Sequence, residues 1–180
     1  MDLQHIAIAF MEAGKLKAAG RYLLKAKAGY EATGDESTLS ELQSYVAEYY
    51  LLLGETAKAL GAARDGLELA SLNGVGEYTS RGEFMAGLAE YLGGEHAGGR
   101  ARMCRAISAA EGQGFMALIL DQIYLCARFE VRDLGCGGLA DLAKWAVATY
   151  SELGNDCRCR TVKTLLSGLG ERPEAGYGQD

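Results

Sequence analysis

Small and apolar positions repeat along the chain in step with a set of glycines. Gly34, Gly74, Gly114 and Gly154 follow one another at a constant interval. A glycine directly after a helix supplies the left-handed conformation that ends it. The interval therefore predicts a structural unit of about 40 residues whose last helix ends in the same way each time.

Other positions keep the same phase, which separates a repeat from a chance recurrence among 25 glycines. A second glycine lies in the middle of three units, at Gly14, Gly54 and Gly94, but Leu134 occupies that place in the fourth. Small residues recur in step at two further sets of positions (Ala26, Gly66, Ala106, Ala146 and Ala7, Ala47, Gly87, Ala127). Only Gly or Ala leaves room where two helix backbones cross closely, so these positions indicate helix crossings.

Each unit is therefore predicted to be a helix, a glycine-bearing turn, a second helix and a second turn. One such hairpin cannot bury its apolar face alone, whereas a stack of hairpins forms a continuous core. The predicted helices number nine, in four pairs plus one. They span 2–13, 16–33, 39–53, 56–72, 77–92, 96–112, 115–131, 137–153 and 157–168.

The composition agrees with an all-α fold. Apolar residues make up 49% of the chain and charged residues 23%, so disorder is not expected. β-Branched residues are sparse relative to Ala, Leu and Glu, which disfavours strands. The single proline, Pro173, follows every predicted helix, so no helix is interrupted by a proline.

The second unit resembles a tetratricopeptide repeat. The segment from Val46 to Ala70 has the small, apolar and aromatic residues of that family at matching places: Val46, Ala47, Tyr50, Gly54, Ala59, Leu60, Ala63, Gly66 and Leu67. The first unit is similar to the same family through Leu3, Ile6, Ala7, Phe10, Gly14, Leu16, Ala19, Leu23 and Ala26. The third unit is looser, and the fourth lacks the inner-turn glycine. The resemblance covers residues 2–154.

The resemblance implies a right-handed α-solenoid of four helix-turn-helix repeats plus a C-terminal capping helix. The repeat domain would span 1–170, followed by a polar tail at 171–180. The last helix is either a cap or the cut end of a longer array. The usual family repeat is shorter, at about 34 residues, and has a proline. The longer form seen here is similar to repeats in spindle-orientation adaptors and in bacterial ATP-dependent transcription activators. HEAT-type arrays rank second for the architecture.

In this family the first helix of each pair lines a concave groove that holds the partner. Carried onto this chain, the groove residues are Gln4, Ile8, Ser44, Glu48, Phe84, Leu88, Tyr124 and Arg128. None of these eight is a lysine or asparagine of the kind that clamps a C-terminal carboxylate, so a co-chaperone role is rejected. The hypothesis is a non-catalytic scaffold whose groove binds a protein, as an amphipathic helix or an extended peptide. The alternative is a ligand-sensing or regulatory module of a larger bacterial transcription or signalling regulator.

Charge and hydropathy limit the kinds of partner. The formal net charge of −6 disfavours direct nucleic-acid binding, which needs concentrated lysine and arginine. No apolar run approaches the length that crosses a bilayer, so no membrane association is expected. The five cysteines form no disulfide framework, and the start of the chain does not read as a signal peptide. A cytoplasmic location is therefore expected, while the oligomeric state is left open.

No catalytic, cofactor or metal site is predicted. Cys157 and Cys159 point about 200° apart on a helix and cannot bind one ion together. The two histidines, His5 and His96, lie in separate units, so no thiol or hydroxyl has an evident general base. The glycine-rich segment 135–138 lacks the lysine and the preceding strand of a phosphate-binding loop.

Overall fold

The computed structural model describes residues 2–134 and 138–170, and across these ranges the chain is helical and contains no strand. The all-α prediction is thus confirmed. The tail predicted at 171–180 lies outside the described residues. The helices found within the described ranges are α1 (Leu3–Glu12), α2 (Leu16–Thr33), α3 (Glu36–Leu52), α4 (Thr56–Asn73), α5 (Gly76–Leu92), α6 (His96–Gly112), α7 (Met116–Arg128), α8 (Leu139–Glu152) and α9 (Asp156–Gly170).

The chain divides into two compact units, Met1–Phe115 and Met116–Asp180. In the first unit each of the helices α1 to α5 packs against the next one in sequence. Helix α3 also contacts both α1 and α5. The second unit contains α7, α8 and α9, each of which packs against the other two. Both units are therefore built from helix hairpins with further contacts between first helices.

Helices α1 to α8 end on a residue with a positive φ angle. The residue is glycine in seven cases, at positions 14, 34, 54, 74, 94, 114 and 154. The N–H of the following residue donates to the carbonyl five residues earlier, as from Lys15 to Phe10 and from Glu55 to Tyr50. These N···O distances lie between 2.8 and 3.2 Å at all eight ends. The recurring glycines thus satisfy helix-terminal carbonyls, as the sequence predicts.

The third hairpin shows why small residues recur at the helix crossings. A Cβ atom added to Gly99 would lie 2.5 Å from the carbonyl oxygen of Gly87 and 2.5 Å from the amide nitrogen of Tyr91. A Cβ at Gly87 would in turn lie 2.9 Å from the carbonyl oxygen of Gly99. Backbone atoms cannot swing away as side chains can. Helices α5 and α6 therefore cross at a distance that only glycine permits at these two positions.

The fourth hairpin departs from the predicted bounds. The sequence predicts that helix α7 reaches 131, but the helix ends at Arg128. Two residues later, Glu130 takes the left-handed conformation with φ 55°. Leu134 occupies the position of the inner-turn glycines Gly14, Gly54 and Gly94. The fourth hairpin therefore has no glycine there to adopt the left-handed conformation without strain. Leu139, the counterpart of Gly99, is also too large for a close crossing. Helix α8 begins only at Leu139, after which the phase is regained at Gly154.

Replacing Gly99 by alanine is expected to lower the free energy of unfolding by about 1 to 3 kcal/mol, because the added methyl group meets backbone atoms of α5. The neighbouring Gly98 is the matched control. It is exposed in the same helix, and a Cβ there would meet no atom of the described residues within 4 Å. Gly98→Ala should stabilise by about 0.5 to 1 kcal/mol. Urea unfolding measures both, and equal effects would contradict the close crossing.

Replacing Glu130 by glycine is expected to raise the stability of the second unit by about 1 kcal/mol, because glycine adopts the left-handed conformation without the Cβ penalty. The ion pair that this change removes, with Arg132 at 4.0 Å, is exposed and contributes little. Glu68→Gly, at an exposed position inside α4, should instead destabilise by about 1 kcal/mol. Thermal unfolding of both variants distinguishes a helix end at Glu130 from a helix interior.

Candidate functional site

All eight residues of the predicted groove lie on the first helices of the hairpins, α1, α3, α5 and α7. Six are buried, namely Gln4, Ser44, Glu48, Phe84, Leu88 and Tyr124, whereas Ile8 and Arg128 are half-buried. Phe84 and Leu88 have no exposed surface at all. Neither can touch a partner while the helices keep this arrangement. The binding role of the eight residues stays a prediction.

Buried polar side chains are concentrated on the same first helices. They are Gln4, Ser40, Gln43, Ser44, Glu48, Ser80 and Gln122. The side-chain carbonyl of Gln4 and both polar atoms of Gln122 have no hydrogen-bond partner among the described residues. An unsatisfied buried polar group costs about 1 to 3 kcal/mol. Their position inside the helix packing gives them no accessible ligand surface.

The predicted groove residue Tyr124 belongs to a polar cluster between α7, α8 and α9. The guanidinium of Arg158 lies 4.5 Å from the Tyr124 ring centroid and forms an ion pair with Asp121. The hydroxyl of Tyr150 donates to the carbonyl of Leu120 at 2.9 Å, and burial raises the pKa of Tyr150 to about 12. These contacts tie three helices together, so the cluster is structural. The sequence alone does not predict this role of Arg158.

An open groove of about 470 Å³ lies in the first unit between α2, the end of α3 and the start of α4. We call it the α2–α4 groove. Its apolar side chains are Leu23, Leu24, Val46, Tyr49, Tyr50 and Leu53. Its charged side chains are Lys17, Arg21, Lys27, Lys58 and Glu55, and Gly20 completes the lining.

Gly20 allows Tyr49 to lie across α2 inside this groove. A Cβ atom at Gly20 would lie 2.6 Å from the Tyr49 hydroxyl oxygen and 2.9 Å from the adjoining ring carbon. The ring therefore covers the helix at the place where a side chain is missing. Leu24 and Leu53 remain 71% and 42% exposed. The groove thus has a packed aromatic base and two accessible leucines.

The cations of the groove are not all in the same electrostatic state. Lys58 forms an ion pair with Glu55, and the hydrogen bond to that carboxylate raises the pKa of Lys58. Lys27 is 3.9 Å from Glu31. In the part of the chain that the structure describes, Lys17 and Arg21 have no ion-pair partner, and both are exposed. Their charges are therefore available to a bound group.

A second hollow, of about 630 Å³, lies between the end of α4, the start of α5 and helix α6. Its lining consists mostly of small and hydroxyl-bearing residues. Its charged residues are Glu83, Arg102 and the exposed Arg105. Arg102 donates to Glu83 and to Glu90, both at 2.6 Å. Because two carboxylates already neutralise this guanidinium, and no exposed leucine lines the hollow, it is the weaker candidate for binding a partner.

The described residues offer no arrangement for metal chemistry. Within them no three His, Cys, Asp or Glu side chains lie close enough together to hold a metal ion. Burial raises the pKa of the Cys126 thiol to about 12, so it is not a nucleophile at neutral pH.

Cys104 is disulfide-bonded, a form that a reducing compartment does not favour. The cytoplasmic location stays a prediction.

Comparison with known proteins adds no assignment. No protein-family model matches the chain, and no curated protein matches it significantly. The resemblance to tetratricopeptide repeats therefore stays a prediction from the residues. In addition, none of the described helices has the length and apolar character needed to cross a membrane.

Sequence reasoning placed the candidate surface on the first helices and missed the α2–α4 groove. The feature of the sequence that could have indicated this groove is the segment from Leu23 to Lys27, which combines leucines with lysines on the second helix of the first hairpin. Leu24 is three residues from both Arg21 and Lys27, so it lies on the polar face of this amphipathic helix. Its meaning depends on the neighbouring Tyr49 and Leu53, which are distant in sequence.

Replacing Phe84 by alanine is expected to destabilise the protein by about 3 to 5 kcal/mol, because a fully buried phenyl ring would leave a cavity. Leu24→Ala is the control at an exposed position and should change stability by no more than about 0.5 kcal/mol. Urea unfolding monitored by circular dichroism compares the two variants. A Phe84→Ala protein as stable as the parent would show that Phe84 is not part of the hydrophobic core. Its predicted role as a groove residue would then stand.

Proposed function

We propose that the chain is a non-catalytic protein-interaction scaffold, a helical-repeat array of the tetratricopeptide type that binds a protein segment on its surface. The observation that carries the proposal is the α2–α4 groove, in which two exposed leucines lie above a packed aromatic base. Exposed apolar side chains grouped in a concave surface are typical of interaction sites.

The packing of the first unit supports the repeat architecture within that proposal. Helix α3 contacts α1 and α5 as well as its own partner α4. Contact between successive first helices is the pattern expected where hairpins lean on one another in series. In the second unit, α7 contacts α9 in the same way. This pattern within each unit supports a helical-repeat architecture, and the right-handed solenoid of four repeats stays a prediction from the sequence.

The α2–α4 groove is a better binding surface than the predicted groove on the first helices. A partner gains free energy chiefly by covering apolar area that water would otherwise contact. Phe84 and Leu88 have already lost that area to the core, whereas Leu24 and Leu53 have not. We therefore place the partner against the second helix of the first hairpin.

Selection from a random peptide library displayed on phage tests the proposed function on the full chain. Peptides that bind the parent protein should lose binding when Leu24→Ser and Leu53→Ser are combined, because both apolar contacts are removed. The control combines Leu72→Ser and Leu153→Ser, which alter leucines that are 74% and 69% exposed outside the groove. Binding to this control should equal binding to the parent.

Two results would contradict the proposal. A selection that enriches no peptide for the folded protein would overturn the scaffold function. Peptides that bind both double variants equally would remove the groove as their site. Circular dichroism of each variant shows that the fold is intact before binding is compared.

A further inference from the structure

Helix α2 carries a concentration of positive charge that the whole protein does not share. Between Leu16 and Thr33 the basic residues are Lys17, Arg21, Lys25 and Lys27, and the only acidic residue is Glu31. The formal net charge of the chain is −6. A locally positive surface on an acidic protein attracts anionic groups that the net charge of the protein would repel.

Three of the four positive side chains of the groove lie on α2, and the fourth, Lys58, is on α4. Lys17 and Arg21 are four residues apart, so they lie on the same face of α2. Both line the α2–α4 groove, where neither has an ion-pair partner within the described ranges. Lys27 lines the groove further along the same helix. An acidic partner lying along α2 would meet successive cations.

The apolar contacts lie beside these cations. Leu24 is on α2 and Leu53 is at the end of α3, and both project exposed area into the groove. A partner that fits the groove must therefore combine apolar side chains with carboxylates. An amphipathic peptide with glutamate or aspartate flanking its apolar residues has this chemistry.

We infer that the α2–α4 groove binds an acidic amphipathic protein segment, with its apolar residues on Leu24 and Leu53 and its carboxylates on Lys17 and Arg21. The inference rests on the proposed function and specifies the partner for the same surface. A nucleic-acid strand would also bring negative charge. It would leave the two leucines facing a phosphate backbone, so the groove favours a peptide.

A labelled synthetic peptide of about 16 residues, long enough to form a helix, tests the inference. It carries leucines at helical spacing and glutamates elsewhere. Two matched peptides replace all glutamates by lysine or all leucines by serine. Fluorescence anisotropy on the full chain should detect binding of the first peptide only. An oligonucleotide of similar charge, without apolar side chains, should bind at least about tenfold more weakly.

Charge reversal identifies the residues. Lys17→Glu combined with Arg21→Glu should weaken binding of the acidic peptide about tenfold or more. Arg160→Glu combined with Lys163→Glu makes the same charge change on exposed residues of α9 and should leave affinity unchanged. Raising the salt from about 0.1 to about 1 M shortens the screening length from about 10 to about 3 Å and should also weaken binding.

The outcomes separate this inference from the proposed function. If peptides selected from the library bind but charge reversal at Lys17 and Arg21 leaves them unaffected, the scaffold stands and the acidic partner is refuted. Equal binding of the glutamate and lysine peptides, or of the oligonucleotide, refutes it as well. If no peptide of any kind binds, both fail.

Discussion

The backbone of this protein depends on residues that can adopt the left-handed conformation where a helix must end. Helices α1 to α8 all terminate on such a residue, and seven of these residues are glycines. The following N–H then reaches the carbonyl five residues earlier, which turns the chain sharply toward the next helix. Because the glycines are evenly spaced in the first unit, successive helices end at equal intervals and their small residues meet at equivalent crossings.

This constraint explains which part of the fold could be predicted from the sequence. Helices α2 and α6 begin and end at the predicted residues, since glycines and turn residues mark both ends. The helix ends of the fourth hairpin could not be predicted as well, because Leu134, unlike glycine, does not readily adopt the left-handed conformation. The chain then uses Glu130, a residue with no special tendency toward that conformation. Its choice depends on packing around α7, which a single sequence does not display.

The candidate site was harder to predict for a different reason. The sequence places Gln4, Ser44 and Phe84 at equivalent positions of successive first helices, but equivalence does not fix exposure. Exposure depends on how closely neighbouring helices approach, and small residues at the crossings bring them close enough to bury these side chains. The α2–α4 groove arises from residues of three helices. No one segment of the sequence contains the whole of it.

The same close packing makes the charge on α2 informative. Arg102, in the hollow between α4, α5 and α6, forms ion pairs with Glu83 and Glu90, so its charge serves the contact between α5 and α6. Lys17 and Arg21 contribute to no comparable contact in the described residues, and the exposed Leu24 beside them gains nothing from water. The groove thus combines cations that form no ion pair in the described residues with exposed apolar surface. It is therefore complementary to a binding partner that carries both carboxylates and apolar side chains.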